Sequence, residues 1–424
     1  MLEIKFVREN PDIIKKDLIK RRDTEKLKWL DDLLDSDKKY RALLQEVEKL
    51  RHKRNTIAQE INQLKKKRKD ISQKIDEARE LPAIIKRKEE LLLKLRKKIN
   101  FYLMRLPNIL HKSVPIGKDE NDNKQIRKHG TIPKPKFKLK SHGELIQSSN
   151  LGDFETASKV SGKGFNYLFN GLALMDLALQ RFAIDFLLKK KYKLIQVPLM
   201  LRRKPYEGVT DLADFETMMY KVENEDLYLI ATSEHSIASL MIGKTLNKLP
   251  LKFVAVSPCF RREIGSHGVD ERGLFRVHQF NKVEQFIFCK PDQSWKLHEE
   301  LIKNAEELNK KLKLPYRIMN VCTGDIGTVA SKKYDLEVYM PREKKYKEVA
   351  SCSNCTSYQA VRLGIKYKKS DKKEYVHTLN STAIATGRTI RAILENYQQK
   401  DSSIKVPNVL QPYMNRIKVI GKNG

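Results

Sequence analysis

The sequence predicts an α+β fold: an antiparallel sheet with flanking helices, preceded by an antiparallel two-helix coiled-coil arm. Two observations carry this. From Tyr40 to Leu106 apolar residues recur at alternating spacings of three and four, the period of a helix with one buried stripe. Beyond residue 150 amphipathic helix patterns are interspersed with β-rich runs, and neither G-x-G-x-x-G nor G-x-x-x-x-G-K-[ST] occurs. The dinucleotide and P-loop routes to a bound phosphate are therefore disfavoured.

A chain of 424 residues suffices for two or three domains. No apolar run approaches the ~18 residues of a membrane span. The start, MLEIKFVREN, lacks the apolar core of a signal peptide, so a cytoplasmic protein with no membrane partner is expected. The formal net charge is +32, and residues 51–150 hold 27 Lys/Arg against 11 Asp/Glu. So localised an excess fits a polyanion, most simply nucleic acid; the alternative is a solvated lysine-rich face. Five cysteines, an odd number, do not form a disulfide framework. Cys352 and Cys355 make a C-x-x-C without the further Cys or His ligands that zinc takes, and ordinary packing explains them better.

In the first helix the stripe runs Tyr40, Leu43, Val47, Leu50, Arg54, Ile57, Ile61, Leu64, Arg68 and Ile71. A second stripe runs Ile85, Lys88, Leu92, Leu95, Ile99, Tyr102 and Leu106. Neither helix can bury its stripe alone, so the two fold back on each other, with Pro82 expected in the first turn of the second helix. The arm, about 38–106 within an N-terminal domain 1–110, should reach roughly 50 Å. Lys65 to Lys69 and Lys86 to Lys88 face solvent, which suits an elongated nucleic acid better than a dimerising coiled coil. The Pro-, Gly- and Lys-rich stretch 111–150 reads as a linker to a mixed domain at 151–424.

That domain opens with the amphipathic NGLALMDLALQRFAIDFLLKKKY and the strand-like KLIQVPLML. Strand candidates follow at LYLIAT, KFVAVSPCF, FRVHQFNKVEQFIFC and YDLEVYM, then a helix at RTIRAILENYQ. Four clusters stand out: Thr232 and Glu234; Arg261, Glu263, Phe280 and Glu284; Glu348 and Ser351; Asn380, Thr382 and Arg388. Two separated arginines suit a polyphosphate, since guanidinium forms paired hydrogen bonds to phosphate oxygens. Glu348 and Ser351 offer oxygen ligands for a hard cation, and Glu234 and Glu284 offer charge for an ammonium group. A lone strand arginine is more often half of a structural ion pair. Together these residues point to ATP, Mg²⁺ and an amine-bearing substrate, with catalysis by positioning and charge neutralisation.

FRREIGSHGVDERGLFRVHQFNKVEQF resembles motif 2 of class II aminoacyl-tRNA synthetases, in the form found in seryl-tRNA synthetases. LNSTAIATGRTIRAILENYQ resembles motif 3, and the helix before QVPLM, with Pro198, resembles motif 1. TSE, TGDIG, YDLEVYMP, SCSNCTSYQAVR and MLEIKFVRENP are similar to family segments in the same order, so the likeness spans the chain. It implies a serine–tRNA ligase with the class II antiparallel catalytic fold, using ATP, L-serine, tRNA(Ser) and Mg²⁺, without zinc, as a homodimer through motif 1.

The resemblance also implies roles. Arg261 and Arg388, the catalytic pair, would hold the α- and γ-phosphates, and Glu263 and Phe280 the adenine. Arg262, Val277, Val349 and Ala350 would complete the ATP site, and Glu348 and Ser351 would bind Mg²⁺ with ATP. Thr232, Ser233, Glu234, Arg261, Glu284, Asn380 and Thr382 would take serine. The loop Ile264–Gly273 would reach the tRNA acceptor end, and the basic arm would lie along the long variable arm. Here SHGVDERG stands where SAGRDTRG is usual, with His267, Val269 and Glu271 altering that loop. An enzyme charging a carrier protein, a non-enzymatic coiled-coil protein and a synthetase for another amino acid are the rivals. The arm, the four-residue set Arg261, Glu284, Glu348 and Arg388, and the TSE segment argue against them in turn.

Overall fold

The computed structural model describes residues 1–211, 217–263 and 273–421, with backbone alone at 215 and 216. Two compact units are present: Leu2–Leu106, and Pro107–Gly424 together with Met1.

In the first unit α1 spans Thr24–Lys66 and α2 spans Ser72–Arg105. The stripe residues Val47, Ile57, Ile85, Ile99 and Tyr102 are buried, while Arg54 and Arg68 are exposed. Ion pairs fix the antiparallel register: Glu46–Lys88 at 2.6 Å, Arg51–Glu89 at 2.6 Å, Lys53–Glu77 at 2.8 Å and Glu60–Lys74 at 2.8 Å. From Arg51 through Lys53 to Glu60 the partner's number falls from 89 through 77 to 74, the antiparallel sense. Such exposed pairs add little stability; they select register.

Two expectations need correction. α1 begins well before residue 38, because the Asp23 carboxylate caps it by accepting from Lys26 N at 3.1 Å, and buried Leu30 and Leu33 extend the stripe. Pro82 lies inside α2, not in its first turn. The Asp70 carboxylate accepts from Ser72 N at 2.9 Å and starts the helix ten residues earlier. Burial of Leu81 and Ile85 on either side of the proline offsets the lost backbone bond.

The second unit is built on eight strands: β1 (Lys124–His129), β2 (Lys193–Ile195), β3 (Leu251–Phe260), β4 (Gln279–Cys289), β5 (Tyr316–Asn320), β6 (Lys332–Met340), β7 (Lys345–Asn354) and β8 (His377–Ala385). Their order is β1-β5-β6-β7-β8-β4-β3-β2. All neighbours are antiparallel except β2 and β3, which pair in parallel. The sheet is thus the antiparallel one expected. The segment 111–150 is not a linker: β1 pairs with β5, and His142–Ser148 is a helix closed by a Ser141–Glu144 capping box. Its Pro115, Gly117, Pro133 and Pro135 lie in the irregular stretches around these elements. Of LYLIAT only Tyr228–Leu229 is strand, pairing with Met200–Leu201.

Both faces of the sheet are covered. On one, α3 (Asn170–Lys189), α5 (Ser294–Lys311) and α7 (Thr386–Tyr397) bring Leu179, Leu301 and Ile393 against Val283 and Ile287 of β4. On the other, Tyr206, Ile237 of α4 (Ser233–Ser239) and Ala360 of α6 (Tyr358–Leu363) pack with Phe286 and Phe288. A strand covered on both faces does not show the polar–apolar alternation of a solvated one. Phe280, Lys282 and Glu284 therefore share a face with Phe286 and Phe288, and β4 passes from site to core along its length.

Candidate active site

A cleft of about 470 Å³ lies over β4, β7 and β8, within the ~300–1,000 Å³ usual for small-molecule sites. Thr232, Glu234, Arg261, Glu263, Val277, Phe280, Glu284, Glu348, Val349, Ala350, Ser351, Asn380, Thr382 and Arg388 all line it. Two bulges aim the strands there. One follows Thr382 on β8, opposite Glu284; the other falls between Glu348 and Ala350 on β7.

At one end Arg261 leaves β3 with its N–H donating to His278 O at 2.9 Å. Its guanidinium lies over the Phe280 ring, 5.3 Å from the centroid, and Nε donates to Ala231 O at 3.4 Å. Glu263 Oε2 sits 3.6 Å from Arg276 Nε, an ion pair beside the cleft.

Arg388, in the first turn of α7, donates from Nη1 to Glu348 O and lies 3.2 Å from Glu348 Oε1. Phe275 supports that guanidinium, 5.0 Å from the ring centroid. Burial pushes the Glu348 carboxyl up, but Arg388, Lys333 and Arg261 outweigh it and hold the group below the ordinary range. Asp335, paired across the strands with Ser351, is pushed by burial to about 8, against the pull of Lys333 at 3.7 Å. Its Oδ1 is buried and has no hydrogen-bond partner among the described residues.

Two carboxylates occupy the floor. Glu234 Oε1 accepts from Gln359 Nε2 at 2.8 Å and Asn380 Nδ2 at 3.0 Å, while Thr232 caps α4 by accepting from Glu234 N at 3.3 Å. Burial, then the Glu284 charge, raise the Glu234 carboxyl to about 7. Glu284 Oε2 accepts from Thr382 Oγ1 at 3.3 Å and lies 2.9 Å from Lys282 Nζ; burial raises its pKa against the pull of that lysine.

Two expected contacts are not made. Arg262 is exposed and lines no part of the cleft: just past the end of β3 its N–H donates to Met218 O, whereas that of Arg261 donates to His278 O. Ser233 is fully buried behind the Thr232 cap and does not line it either. Of the loop Ile264–Gly273, residues 264–272 lie outside the described residues, and the expected acceptor-end contact with them. Lys282, Lys333, Gln359 and Phe275 were missed by sequence reading; the first could have been found from its period-two spacing between Phe280 and Glu284. Among the described residues no group of three or more His, Cys, Asp or Glu side chains could hold a metal ion. All five cysteines are free and buried.

Two families match the chain: "Seryl-tRNA synthetase N-terminal domain" over residues 1–110 and "tRNA synthetase class II core domain (G, H, P, S and T)" over residues 218–397. A serine–tRNA ligase of Methanocella arvoryzae is 55% identical over 99% of this chain and 100% of its own. The seryl-tRNA synthetase of Pyrococcus horikoshii, solved with ATP, superposes with a TM-score of 0.93 at 48% identity, over 99% of each chain. The cytoplasmic serine–tRNA ligase of Naegleria fowleri, solved with AMP, gives 0.88 at 34% identity, over 100% of this chain and 99% of that one. With the coiled-coil arm, the antiparallel sheet and the two-arginine cleft in place, the chain belongs to the seryl-tRNA synthetase family of class II aminoacyl-tRNA synthetases.

Proposed function

We propose a division of labour within the cleft for the reaction of this family. The chain is an ATP-dependent serine–tRNA ligase: it joins serine to AMP, releasing pyrophosphate, and passes the seryl group to the 3′ end of tRNA(Ser). Arg261 grips the α-phosphate and Arg388 the γ-phosphate, with Phe280 stacked on adenine, Glu263 at its edge, and Val277, Val349 and Ala350 around the nucleotide. Thr232, Glu234 and Glu284 surround the serine amine, and Asn380 and Thr382 read its side chain. One observation carries the assignment: Arg261 and Arg388 line a single cleft together with the carboxylates Glu234, Glu284 and Glu348. The complexes of the two solved relatives with ATP and with AMP support it.

In the first step the serine carboxylate attacks the α-phosphorus and the bond to pyrophosphate breaks. Arg261 takes the charge that develops on the α-phosphoryl oxygens, a contact worth most in the transition state. In the second, the terminal ribose hydroxyl of the tRNA attacks the seryl carbonyl and AMP leaves. Mg²⁺, when bound, neutralises phosphate charge. Glu348 and Ser351 would hold it, since Mg²⁺ takes one or two protein oxygens and completes its shell with phosphates and water. The unpartnered Asp335 oxygen across from Ser351 is compatible with a cation there. A polar floor built for a hydroxyl penalises alanine, which would leave polar groups unpaired, and threonine meets steric limits.

The basic arm takes tRNA(Ser), and two chains associate through α3 and the segment after it. There Leu177 is 62% exposed, Leu194 52% and Met200 43%, more apolar surface than a solvated helix and edge strand usually keep. The test is isotopic ATP–pyrophosphate exchange: it should depend on L-serine, and Arg261→Ala should lower it about 10²-fold or more. Exchange as fast without serine would overturn the assignment.

A further inference from the structure

The pleat of β4 turns Phe280, Lys282 and Glu284 to one side, about 7 Å from one to the next. Adenine and serine account for the outer two; the lysine between them has no part in that scheme. Its side chain is 8% exposed, with Nζ 2.9 Å from Glu284 Oε2, the oxygen that also accepts from Thr382 Oγ1. A buried ammonium is costly unless paired, and a strand core position would ordinarily hold an apolar residue. The charged groups facing this pair are Glu234 from α4 and Arg261 from the end of β3, and His235 and Cys259 are buried close by. With Arg261 engaged on phosphate, the floor holds two carboxylates and one ammonium. A serine bound there brings the second ammonium.

We propose that Lys282 is a positioning residue for serine: it orients the Glu284 carboxylate and leaves a deficit of one positive charge that the substrate's ammonium fills. The proposal rests on the placement of serine at Glu234 and Glu284. Without the lysine, Glu284 can rotate about its own side chain and take a proton, and the floor loses its match to a single ammonium. ATP contacts, which rest on Arg261, Arg388 and Phe280, are not altered.

The experiment is pyrophosphate exchange with the full-length enzyme, titrating serine and ATP separately. Lys282→Gln should raise the KM for serine about 20-fold, the weight of a charge-assisted hydrogen bond, and leave the KM for ATP unchanged. Lys282→Arg should recover most of the loss. Because the lysine acts through Glu284, adding Lys282→Gln to Glu284→Gln should leave the serine KM of Glu284→Gln unchanged. That double variant buries no unpaired charge and carries the test if Lys282→Gln does not fold. Equal rises in both KM values, an unchanged serine KM, or additive losses in the double variant would overturn the proposal. Glu284→Gln alone separates the premises: if it leaves the serine KM unchanged, the serine placement itself fails.

Discussion

Glu234 accepts two hydrogen bonds at one oxygen, from Gln359 and Asn380, yet its carboxyl is raised to about 7 by burial and by Glu284. Only the ionised form partners an ammonium. Serine kcat/KM should therefore fall as pH drops through about 7, and Glu234→Gln should flatten that limb at a lower ceiling; an unshifted limb would remove Glu234 from serine binding. For stability the sign is opposite. A carboxyl raised above its unfolded value of ~4.3 contributes stability that is full below that pH and lost as pH rises toward about 7. His298 behaves the other way: burial lowers it to about 4 while its Nε2 bonds Cys352 O at 3.1 Å. Its contribution, present above ~6.5, is lost as pH falls toward about 4. Acid denaturation followed by circular dichroism should show that loss, and His298→Gln should lessen its steepness in that window. At this scale the sequence disclosed residue types better than directions. Arg261 and Arg262 are adjacent and chemically identical, yet one lines the cleft and the other is exposed, a difference set by which backbone partner each finds past the end of β3. Gln359, bonded to Glu234 from a helix 125 positions away, left no local signal.

Among the elements the arm was the most legible, because a heptad stripe is a local property that needs no partner to be recognised. Its ends were less so. Asp23 and Asp70 set the helix starts through single side-chain bonds, and such caps compete with the louder signal of a proline. The exposed run Lys65 to Lys69 follows α1 into the turn, where Arg68 takes a positive φ of 52°. If the arm selects tRNA(Ser), deleting residues 40–106 should abolish aminoacylation of the tRNA and leave serine-dependent pyrophosphate exchange within about twofold, since the two units have separate cores. Charging that survives the deletion would assign tRNA choice elsewhere. β4 was harder to read. Its covered faces blur the alternation of polar and apolar residues, so Lys282 was missed although it shares a face with Phe280 and Glu284.

At the scale of the molecule, a net charge of +32 predicts strong salt dependence for tRNA binding and little for activation. Each phosphate contact should add roughly 0.7–0.9 to the slope of log affinity against log salt. Comparing the salt dependence of the KM for tRNA with that of the KM for ATP in exchange would check this. The chain-wide order of motifs made the α+β class and the antiparallel sheet legible. The edges were not, because edge pairing depends on residues almost two hundred positions apart, such as Gln125 and Met319. Strand β1 has a further consequence. It ends the sheet with exposed Lys124 and Lys128 and a bulge between Gln125 and Arg127. A flat, apolar edge there would offer a row of open amides and carbonyls to any other extended chain. Charge and kink instead make it a poor template, so a stretch that looks like spacer guards a large sheet against aggregation in a crowded cell.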